Sequence, residues 1–266
     1  MNIIVCVKQV PDPEAPPASF RIDPAARKAV PPQGVAPVIS PFDEQAVEAA
    51  LRLKEKAGGK VTVLCKGTDL VADVVKKPLA MGADDLVLLQ DPALEGGDSY
   101  STALALAAAI RKIGQFDLIL CGRQAADWDA GQVGSGLAEL LKLPCISFAR
   151  KVEVADGRLR VETVLADGYE VVEASLPAVV TVSNELGEPR YPTLRGIMAA
   201  ARKQPTVWTG KDLGLDESQA GKAVARSEVL KLFIPTKEAK CEMVSADSPQ
   251  EAAVNLAQRL RDAKLL

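Results

Sequence analysis

Short, uninterrupted apolar stretches recur along the first half of the chain. They read "IIVCV" at 3–7, "VTVLC" at 61–65, "DLVLL" at 85–89 and "DLILC" at 117–121. Continuous runs of this length, rich in β-branched residues, are typical of parallel strands that are covered on both faces. Helical patterns separate them, and this alternation predicts an α/β fold with a doubly wound, mostly parallel, Rossmann-like sheet.

The helical segments carry start and stop signals. "SPFDEQAVEAALRLKEK" begins with Ser40, places Pro41 at the first helical position and has Asp43 three residues after Ser40. This spacing predicts an N-cap with a near-capping box. "YSTALALAAAIRKI" predicts a second helix, and "TDLVADVVKK" predicts a third, which Pro78 should end or kink.

The pattern changes after residue 150. "KVEVADGRLRVETVL" alternates around Asp156-Gly157, which predicts a hairpin, and "GYEVVEASLPAVVTVS" adds more strand, so we expect an antiparallel addition to the sheet. "SPQEAAVNLAQRLRDAKLL", with Ser248 as its cap, predicts a final helix. We expect an α/β domain at 1–203 and an irregular arm with a C-terminal helix at 204–266. The arm should reach onto a partner chain, the alternative being that it packs on its own domain.

Composition and charge narrow the class of protein. The 266 residues are 48% hydrophobic and 25% charged, and the net charge of −3 argues against a general nucleic-acid binder. No apolar run approaches the roughly 18 residues of a membrane span, so no direct membrane insertion is expected. "MNIIVCVKQV" leads straight into a strand, without the features of a targeting segment. We therefore expect a cytoplasmic protein of a bacterium or archaeon.

Cysteine and histidine usage bears on the chemistry. None of the five cysteines stands in a C-x-x-C spacing, so no metal site is predicted. Cys6, Cys65 and Cys121 lie in strand patterns and are expected to be small buried residues. The chain has no histidine, which removes the commonest general base. A protein whose bound cofactor performs the chemistry needs none, so we expect no catalytic residue.

Polar segments follow the predicted strands, where an open α/β sheet binds its ligands. "KQVPDPE", "ISPFDE", "CKGTD" and "GRQAADWDAGQVGSG" occupy these places. Ser40 and Pro41, and then Gly67 and Thr68, are expected at helix N-termini, which favour phosphate. The chemistry of these segments suits an adenine nucleotide.

The segment 122–136 has the most suitable composition. Glycines at 131, 134 and 136 would let the backbone approach phosphate oxygens, and Gln132 and Ser135 can donate hydrogen bonds. Asp127 and Asp129 could accept from ribose hydroxyls, although each alone is more often a helix cap. The chain has neither a P-loop nor a G-x-G-x-x-G after the first strand. The residues thus predict a nucleotide-binding site but do not identify the nucleotide.

Taken together, these segments resemble the beta subunit of electron-transfer flavoprotein over nearly the whole chain. "VCVKQVPD" resembles the family's opening strand and loop, and "SPFDEQAVEAALRLKEK" its N-P-F-[DC]-E-x-A-[VL]-E-x-A helix, with Ser40 where asparagine is usual. "LAMGADDLVLL" and "DLILCGRQAADWDAGQVG" match two further blocks. "LPAVVTVSNELGEPRYPTLRGIMAAARK" resembles the most specific signature, with Gly187 where asparagine is usual.

The resemblance implies a heterodimer with an alpha subunit that carries most of the site of an electron-carrying FAD. Such a pair passes electrons between flavin dehydrogenases, such as acyl-CoA dehydrogenase, or NADH dehydrogenases and downstream acceptors. It also implies that the arm wraps the alpha subunit and that a recognition loop at about 184–203 docks dehydrogenases. The docking residues would be Arg190, Tyr191, Leu194, Ile197 and Met198, with Leu194 as the anchor.

The resemblance also implies an adenine-nucleotide site in this chain. Carried over position by position, its cofactor-binding residues are Cys6, Ser40, Pro41, Phe42, Asp43, Lys66, Gly122, Arg123, Gln124, Ala125, Asp127, Asp129, Gly131, Gln132, Val133 and Gly134. Conventional members hold a structural AMP there. Electron-bifurcating members hold a second FAD, which would accept a hydride from NADH as part of a bifurcating complex.

Two short stretches bear on this choice. "AGQVGSG" and "LRGIM" are nearer the bifurcating pattern, although Trp128 and Ser135 depart from it. Trp128 could stack on a ring or block a second flavin, and a tryptophan in a loop is more often packed within the protein. The sequence therefore favours a second FAD over AMP.

Two alternatives belong to other classes. An adenine-nucleotide ligase or pyrophosphatase of this fold would need an S-G-G-x-D-S loop where this chain has "KQVPDPE", which disfavours it. A non-redox adenine-nucleotide-binding module would be isolated without flavin even when its alpha subunit is present.

Overall fold

The computed structural model describes residues 1–235 and 241–266. It contains the α-helices α1 Pro41–Ala57, α2 Ala72–Val75, α3 Lys77–Met81, α4 Ser99–Ile113, α5 Val133–Leu141, α6 Leu194–Arg202 and α7 Pro249–Asp262. Its strands are β1 Asn2–Val7, β2 Gln9–Val10, β3 Arg21–Asp23, β4 Lys28–Val30, β5 Val38–Ile39, β6 Lys60–Lys66, β7 Asp85–Leu89, β8 Leu118–Gly122, β9 Cys145–Ala155, β10 Arg158–Leu165, β11 Gly168–Ser175, β12 Ala178–Val182 and β13 Thr206–Trp208.

Nine of these strands form one sheet in the order β11-β10-β9-β12-β8-β1-β6-β7-β13. The pairs from β9–β12 through to β7–β13 are parallel, and only β9–β10 and β10–β11 are antiparallel. β1 pairs with β6 on one side and with β8 on the other, so the order reverses between β1 and β8. This reversal is a topological switch point, and it confirms the predicted doubly wound α/β fold.

Helices cover both faces of the sheet, which explains the continuous apolar strands. On one face Ile3 and Val5 of β1 lie in the same core as Val47 of α1. On the other face Ile4 of β1 packs in a core with Ile110 of α4. Because both faces are buried, successive residues of β1 are all apolar rather than alternating.

The helix starts follow the sequence only in part. Asp98 and Ser101 form a capping box at α4, each side chain accepting from the other residue's backbone N–H. Ser40 occupies the N-cap position of α1 without capping it, so the predicted near-capping box is wrong. "TDLVADVVKK" contains only the one-turn helix α2, and α3 begins at its last residue, Lys77, so the predicted third helix is broken at Lys76. Pro78 lies in the first turn of α3, where its missing N–H costs nothing.

The second half of the chain contains the predicted hairpin, but the placement of β12 and β13 differs from the prediction. β9 and β10 turn at Asp156 and Gly157, both at positive φ as a tight hairpin turn requires. β12 is not part of the antiparallel addition, because it inserts between β8 and β9 and is parallel to both. β13 adds three residues of the expected arm to the sheet edge beside β7.

The chain divides into two compact units, Met1–Lys231 and Leu232–Leu266. The smaller unit contains α7, where the Ser248 hydroxyl accepts from the Glu251 N–H at 3.2 Å, as the sequence predicted. Residues 236–240 of the expected arm lie outside the described residues. Among the helices that are described, none combines the length and apolar character needed to cross a membrane.

Candidate functional site

The carboxyl ends of β1 and β8 meet at the switch point, where Cys6 and Cys121 are partners in register. The Asp43 carboxylate of α1 ties the two strand ends together. Its Oδ2 accepts from the Lys8 backbone N–H at 2.8 Å, and its Oδ1 accepts from the Gly122 N–H at 3.0 Å. A Cβ at Gly122 would lie 2.5 Å from Asp43 Oδ1, so only glycine allows this approach. We call these strand ends and the loop 122–134 the switch-point site.

The Asp43 carboxyl is buried and its pKa is perturbed. Burial raises the pKa from its ordinary value of 3.8 to about 7, although the hydrogen bonds from Lys8 and Gly122 and the Lys8 charge oppose the rise. The Asp127 carboxylate adds to the rise. A proton is therefore held on Asp43 at a pH where a surface carboxyl would be ionised.

The raised pKa of Asp43 makes stability depend on pH. In the unfolded chain this carboxyl ionises near 3.8, whereas in the folded protein it keeps its proton up to about 7. The folded state binds more protons between these values, so its unfolding free energy falls as the pH rises through that range and is level above it. We expect a fall of about 4 kcal/mol from this group. Urea unfolding of the wild-type chain and of Asp43→Asn should show this fall in the wild type only, and parallel pH profiles would contradict it.

The loop after β8 is held over the strand ends by side chains. The Ser40 hydroxyl accepts from the Ala126 N–H at 3.3 Å, and the Lys8 ammonium pairs with the Asp127 carboxylate at 2.6 Å. Gln124 donates to the Asp129 carboxylate at 2.8 Å. Both aspartates are thus engaged within the site, and the expectation that they cap a helix is wrong.

The N-terminus of α5 faces the same loop and lacks a cap. Gln132 is its N-cap residue, and among the described residues no side chain accepts from the first amides of the helix. The Gln132 carbonyl accepts from the Ser135 hydroxyl at 3.0 Å. Val133 and Gly134 form the first turn. Their amides and the helix dipole therefore favour an anion at this end of α5.

The three glycines of the loop have different roles. A Cβ at Gly134 would lie 2.4 Å from Thr181 Cγ2, and one at Gly136 would lie 3.1 Å from the Ala103 Cβ. These two glycines let α5 pack closely against Thr181 and Ala103, and the approach of their backbone to phosphate stays a prediction. Gly131 has φ of 63° and a nearest neighbour at 3.5 Å, so it alone leaves the loop backbone open.

The segment after β6 differs from its prediction. Gly67 donates to the Leu89 carbonyl and Thr68 to the Glu95 carboxylate, both at 3.1 Å, while the next helix begins only at Ala72. They therefore do not form a helix N-terminus. Lys66 ends β6, on the far side of β1 from β8; burial lowers the pKa of its ammonium, and the Glu95 carboxylate opposes this.

An arginine between two aromatic rings forms the wall of the site toward β12. The Arg123 guanidinium lies 5.2 Å from the Phe42 ring centre and 5.5 Å from that of Phe148. Phe148 has φ of 56°, an unusual conformation for an aromatic residue, and its N–H donates to Thr181 Oγ1 at 3.1 Å. Sequence reasoning missed Phe148, because "CISFAR" carries no signal for a strained residue.

The remaining predicted residues lie at the rim or in the core. Pro41 is exposed as the first residue of α1, and the Ala125 carbonyl accepts from the Asp129 N–H at 2.9 Å. Trp128 is 55% exposed, so the expectation that it packs within the protein is wrong. Cys6 is buried, and its hydrogen bond raises the pKa of the Cys121 thiol, as does burial.

The other cysteines and acidic residues show no metal site. Cys65 is buried, as predicted, whereas Cys145 and Cys241 are exposed. Within the described residues, no group of three or more cysteine, aspartate or glutamate side chains is arranged to hold a metal ion.

The predicted docking residues cluster around the start of α6. Leu194 is the first residue of this helix rather than part of a loop, and the Thr193 hydroxyl caps it by accepting from the Gly196 N–H at 3.0 Å. Tyr191 is 92% exposed and Leu194 76% exposed. Ile197 and Met198 are also exposed, so four of the five predicted residues form one apolar surface, which we call the docking surface.

Arg190 instead anchors the segment before α6 to α1. Its Nε donates to the Glu48 carboxylate at 2.7 Å, and its guanidinium also contacts Glu55. Glu48 accepts from Arg52 Nε at 2.7 Å as well. Burial alone would raise the pKa of Glu48, but the hydrogen bonds from Arg190 and Arg52 outweigh it and hold the pKa below its ordinary value.

Comparison with known proteins identifies the family. A family model described as electron transfer flavoprotein domain matches residues 30–213. A protein named electron transfer flavoprotein subunit beta, from Thermoanaerobacterium thermosaccharolyticum, is 41% identical over 261 residues, which cover 98% of each chain. The chain belongs to the beta-subunit family of electron transfer flavoproteins. This confirms the resemblance seen in the sequence.

Further members of the family match over similar lengths. Caffeyl-CoA reductase-Etf complex subunit CarD of Acetobacterium woodii is 36% identical over 267 residues, covering 100% of each chain. Electron transfer flavoprotein subunit beta of Megasphaera elsdenii is 40% identical over 261 residues, covering 96% of this chain and 95% of the relative. Membership of this family implies electron transfer, association with a flavin and an alpha-subunit partner.

Proposed function

We propose that this chain forms a heterodimer with its alpha subunit and that the switch-point site holds the adenine-nucleotide part of a second FAD. The proposal rests on one observation. The Asp43 carboxyl, which joins the ends of β1 and β8, and the uncapped N-terminus of α5 lie at the same switch point. Ligands of open α/β sheets bind at such a point. The heterodimer would pass electrons between flavin or NADH dehydrogenases and downstream acceptors.

The donors of the site fit a diphosphate. The first amides of α5 and the open backbone at Gly131 can approach phosphate oxygens, which need neutral or positive partners. Lys8 lies at the end of β1 and supplies a cation, although it is paired with Asp127. Bringing a ligand phosphate to Lys8 would release the Asp127 carboxylate, which could then accept from a ribose hydroxyl.

The sequence stretches "AGQVGSG" and "LRGIM" favour FAD over AMP. With 55% of Trp128 exposed, the indole is accessible for stacking on a ligand ring, although this does not distinguish the two nucleotides. A bound flavin supplies the electron chemistry, while the residues of this chain bind it, orient it and limit its contact with water.

The docking surface would receive the dehydrogenase. Tyr191, Leu194, Ile197 and Met198 present exposed apolar area at one helix start, the kind of cluster that serves as a binding hot spot. Acyl-CoA dehydrogenase is one partner of the expected class. The arm at 204–266 would contact the alpha subunit, and the complex would act in the cytoplasm.

Counting nucleotides tests the proposal. The chain is co-expressed with its alpha subunit, and the nucleotides released by denaturing the purified heterodimer are separated and quantified. Two FAD and no AMP per heterodimer are expected. One FAD and one AMP would overturn the second FAD and indicate a conventional single-flavin carrier. One FAD alone would overturn the nucleotide site, and a heterodimer without flavin would favour a non-redox module.

A further inference from the structure

The docking helix α6 crosses the end of α3 at a glycine. A Cβ added to Gly196 would lie 2.2 Å from the carbonyl oxygen of Ala80, far inside the 3.4–4 Å of ordinary contact. Gly196 and Ala200 are four residues apart, so they share one side of α6, and Ala200 is buried. α6 therefore approaches the α3 backbone through the two small residues of this side.

The exposed side of α6 carries large apolar residues instead of small ones. Leu194, Ile197 and Met198 follow the three- and four-residue spacing of a single helix face and project into solvent. Their height above the rest of the surface depends on how deeply α6 sits against α3. Gly196 has an ordinary negative φ, so the backbone conformation alone would allow any residue at this position. Glycine is needed because a side chain would not fit against Ala80.

The surroundings of the contact would let α6 move instead of unfold. A cleft of about 330 Å³ lies beside the crossing, between α3 and the Thr193, Arg195 and Lys203 side of α6. A larger residue at 196 would push α6 away from Ala80, and it would also crowd the Thr193 hydroxyl, which would lie 3.2 Å from the added Cβ. Relieving the contact needs a shift on the order of 1 Å, since packed backbones do not compress.

We propose that Gly196 is a positioning residue that determines which dehydrogenases the heterodimer accepts, because it fixes the depth of α6 and hence the placement of Leu194. The inference rests on the proposed docking function of this surface. Complementary interfaces are sensitive to shifts of this size, because packing at their centre is as dense as in a protein interior. The effect acts on partner binding and should leave the nucleotide site, at the carboxyl ends of β1 and β8, unchanged.

The test measures electron transfer from acyl-CoA dehydrogenase and from a panel of other flavin dehydrogenases to the intact heterodimer. Gly196→Ala is expected to raise the KM for the heterodimer about tenfold with the preferred dehydrogenase and to change the ranking of the panel. The kcat and nucleotide content are expected to stay near those of the wild type, whereas the Tm should fall by several degrees, because the atoms that must shift belong to the α3 backbone. Ala200→Gly, which removes a spacer from the same side without any clash, should also change KM. A crystal structure of Gly196→Ala should show Leu194 displaced.

Two control variants separate the possible failures. Gly168→Ala, at the start of β11 with no atom within 4 Å of the added Cβ, is expected to behave as wild type. Leu194→Ala removes the anchor side chain and should raise KM without displacing α6. If Leu194→Ala raises KM but both Gly196→Ala and Ala200→Gly leave it and the ranking unchanged, the inference is overturned. A wild-type heterodimer that accepts electrons from none of the dehydrogenases overturns the proposed function instead.

Discussion

Replacing Asp43 with alanine is expected to lower the unfolding free energy at pH 5 by about 3 kcal/mol and to prevent retention of the adenine nucleotide. The carboxyl group accepts from the Lys8 and Gly122 amides, and a buried amide left without a partner costs about 1–3 kcal/mol. The same change separates the ends of β1 and β8, on which the site is built. Urea unfolding and nucleotide analysis measure the two effects.

The size of this loss should depend on pH. At pH 5 the folded protein holds Asp43 in its neutral form, since burial raises its pKa to about 7. Above that pKa the buried carboxylate is charged, which destabilises the folded protein. Removing it then also removes this destabilisation, so the net loss of unfolding free energy becomes smaller. Asp43→Asn keeps one carbonyl acceptor and should lose about half as much at pH 5. Asp69→Ala, at an exposed position, should have little effect; equal losses in Asp69→Ala and Asp43→Ala would show that Asp43 does not hold the site together.

The sheet was predictable where the strands are buried on both faces. Their apolar runs are continuous, and neighbours in the sequence of β-α units are neighbours in space. β12 was misread because the sequence shows only that "PAVVTV" is apolar and follows a hairpin. Its place between β8 and β9 depends on long-range pairing. β13 has only three residues and pairs along one edge, which is too short for a periodic signal.

The candidate site shows a different limit of sequence reasoning. Ser40 and Asp43 have the spacing of a local cap, yet both side chains accept from amides far along the chain, at Ala126, Lys8 and Gly122. A carboxylate or hydroxyl oxygen can accept from a near or a distant donor equally well, so residue spacing alone cannot distinguish a helix cap from a long-range contact. The positions were found, but their role in joining three segments was not.

Glycines and aromatic residues of the same loop were ambiguous for a related reason. A glycine is needed both where a ligand approaches and where a neighbouring element packs, and Thr181 occupies the space beside Gly134. Trp128 carries no indication in the sequence that it would be exposed. The docking residues were predicted from the family resemblance, because the sequence alone does not show which apolar residues are exposed.

Replacing Glu48 with alanine should detach the docking segment from α1. The side chain is only 5% exposed and holds both Arg52 and Arg190, while Arg52 also donates to the Leu186 carbonyl at 3.2 Å. Removing one partner of a buried ion pair costs about 3–5 kcal/mol, and the part-exposed arginines reduce this to about 2 kcal/mol. We expect that loss of unfolding free energy, together with about a tenfold rise in the KM for a dehydrogenase. Urea unfolding and steady-state electron transfer measure the two changes.

Two variants isolate the role of the Glu48 charge. Glu48→Gln keeps the shape and one acceptor, so it should retain most of the stability but not the ion pair, and its KM should lie between those of the wild type and Glu48→Ala. Glu55→Ala removes the exposed partner of Arg190 and is expected to change little, since surface ion pairs are screened by water. Because the hydrogen bonds from Arg190 and Arg52 hold the pKa of Glu48 below its ordinary value, its contribution should persist at neutral pH and fade in acid. If Glu48→Ala lowers stability but leaves KM unchanged, the Arg190 contacts stabilise the fold without positioning the docking surface. The docking surface would then be positioned by the contact of α6 with α3.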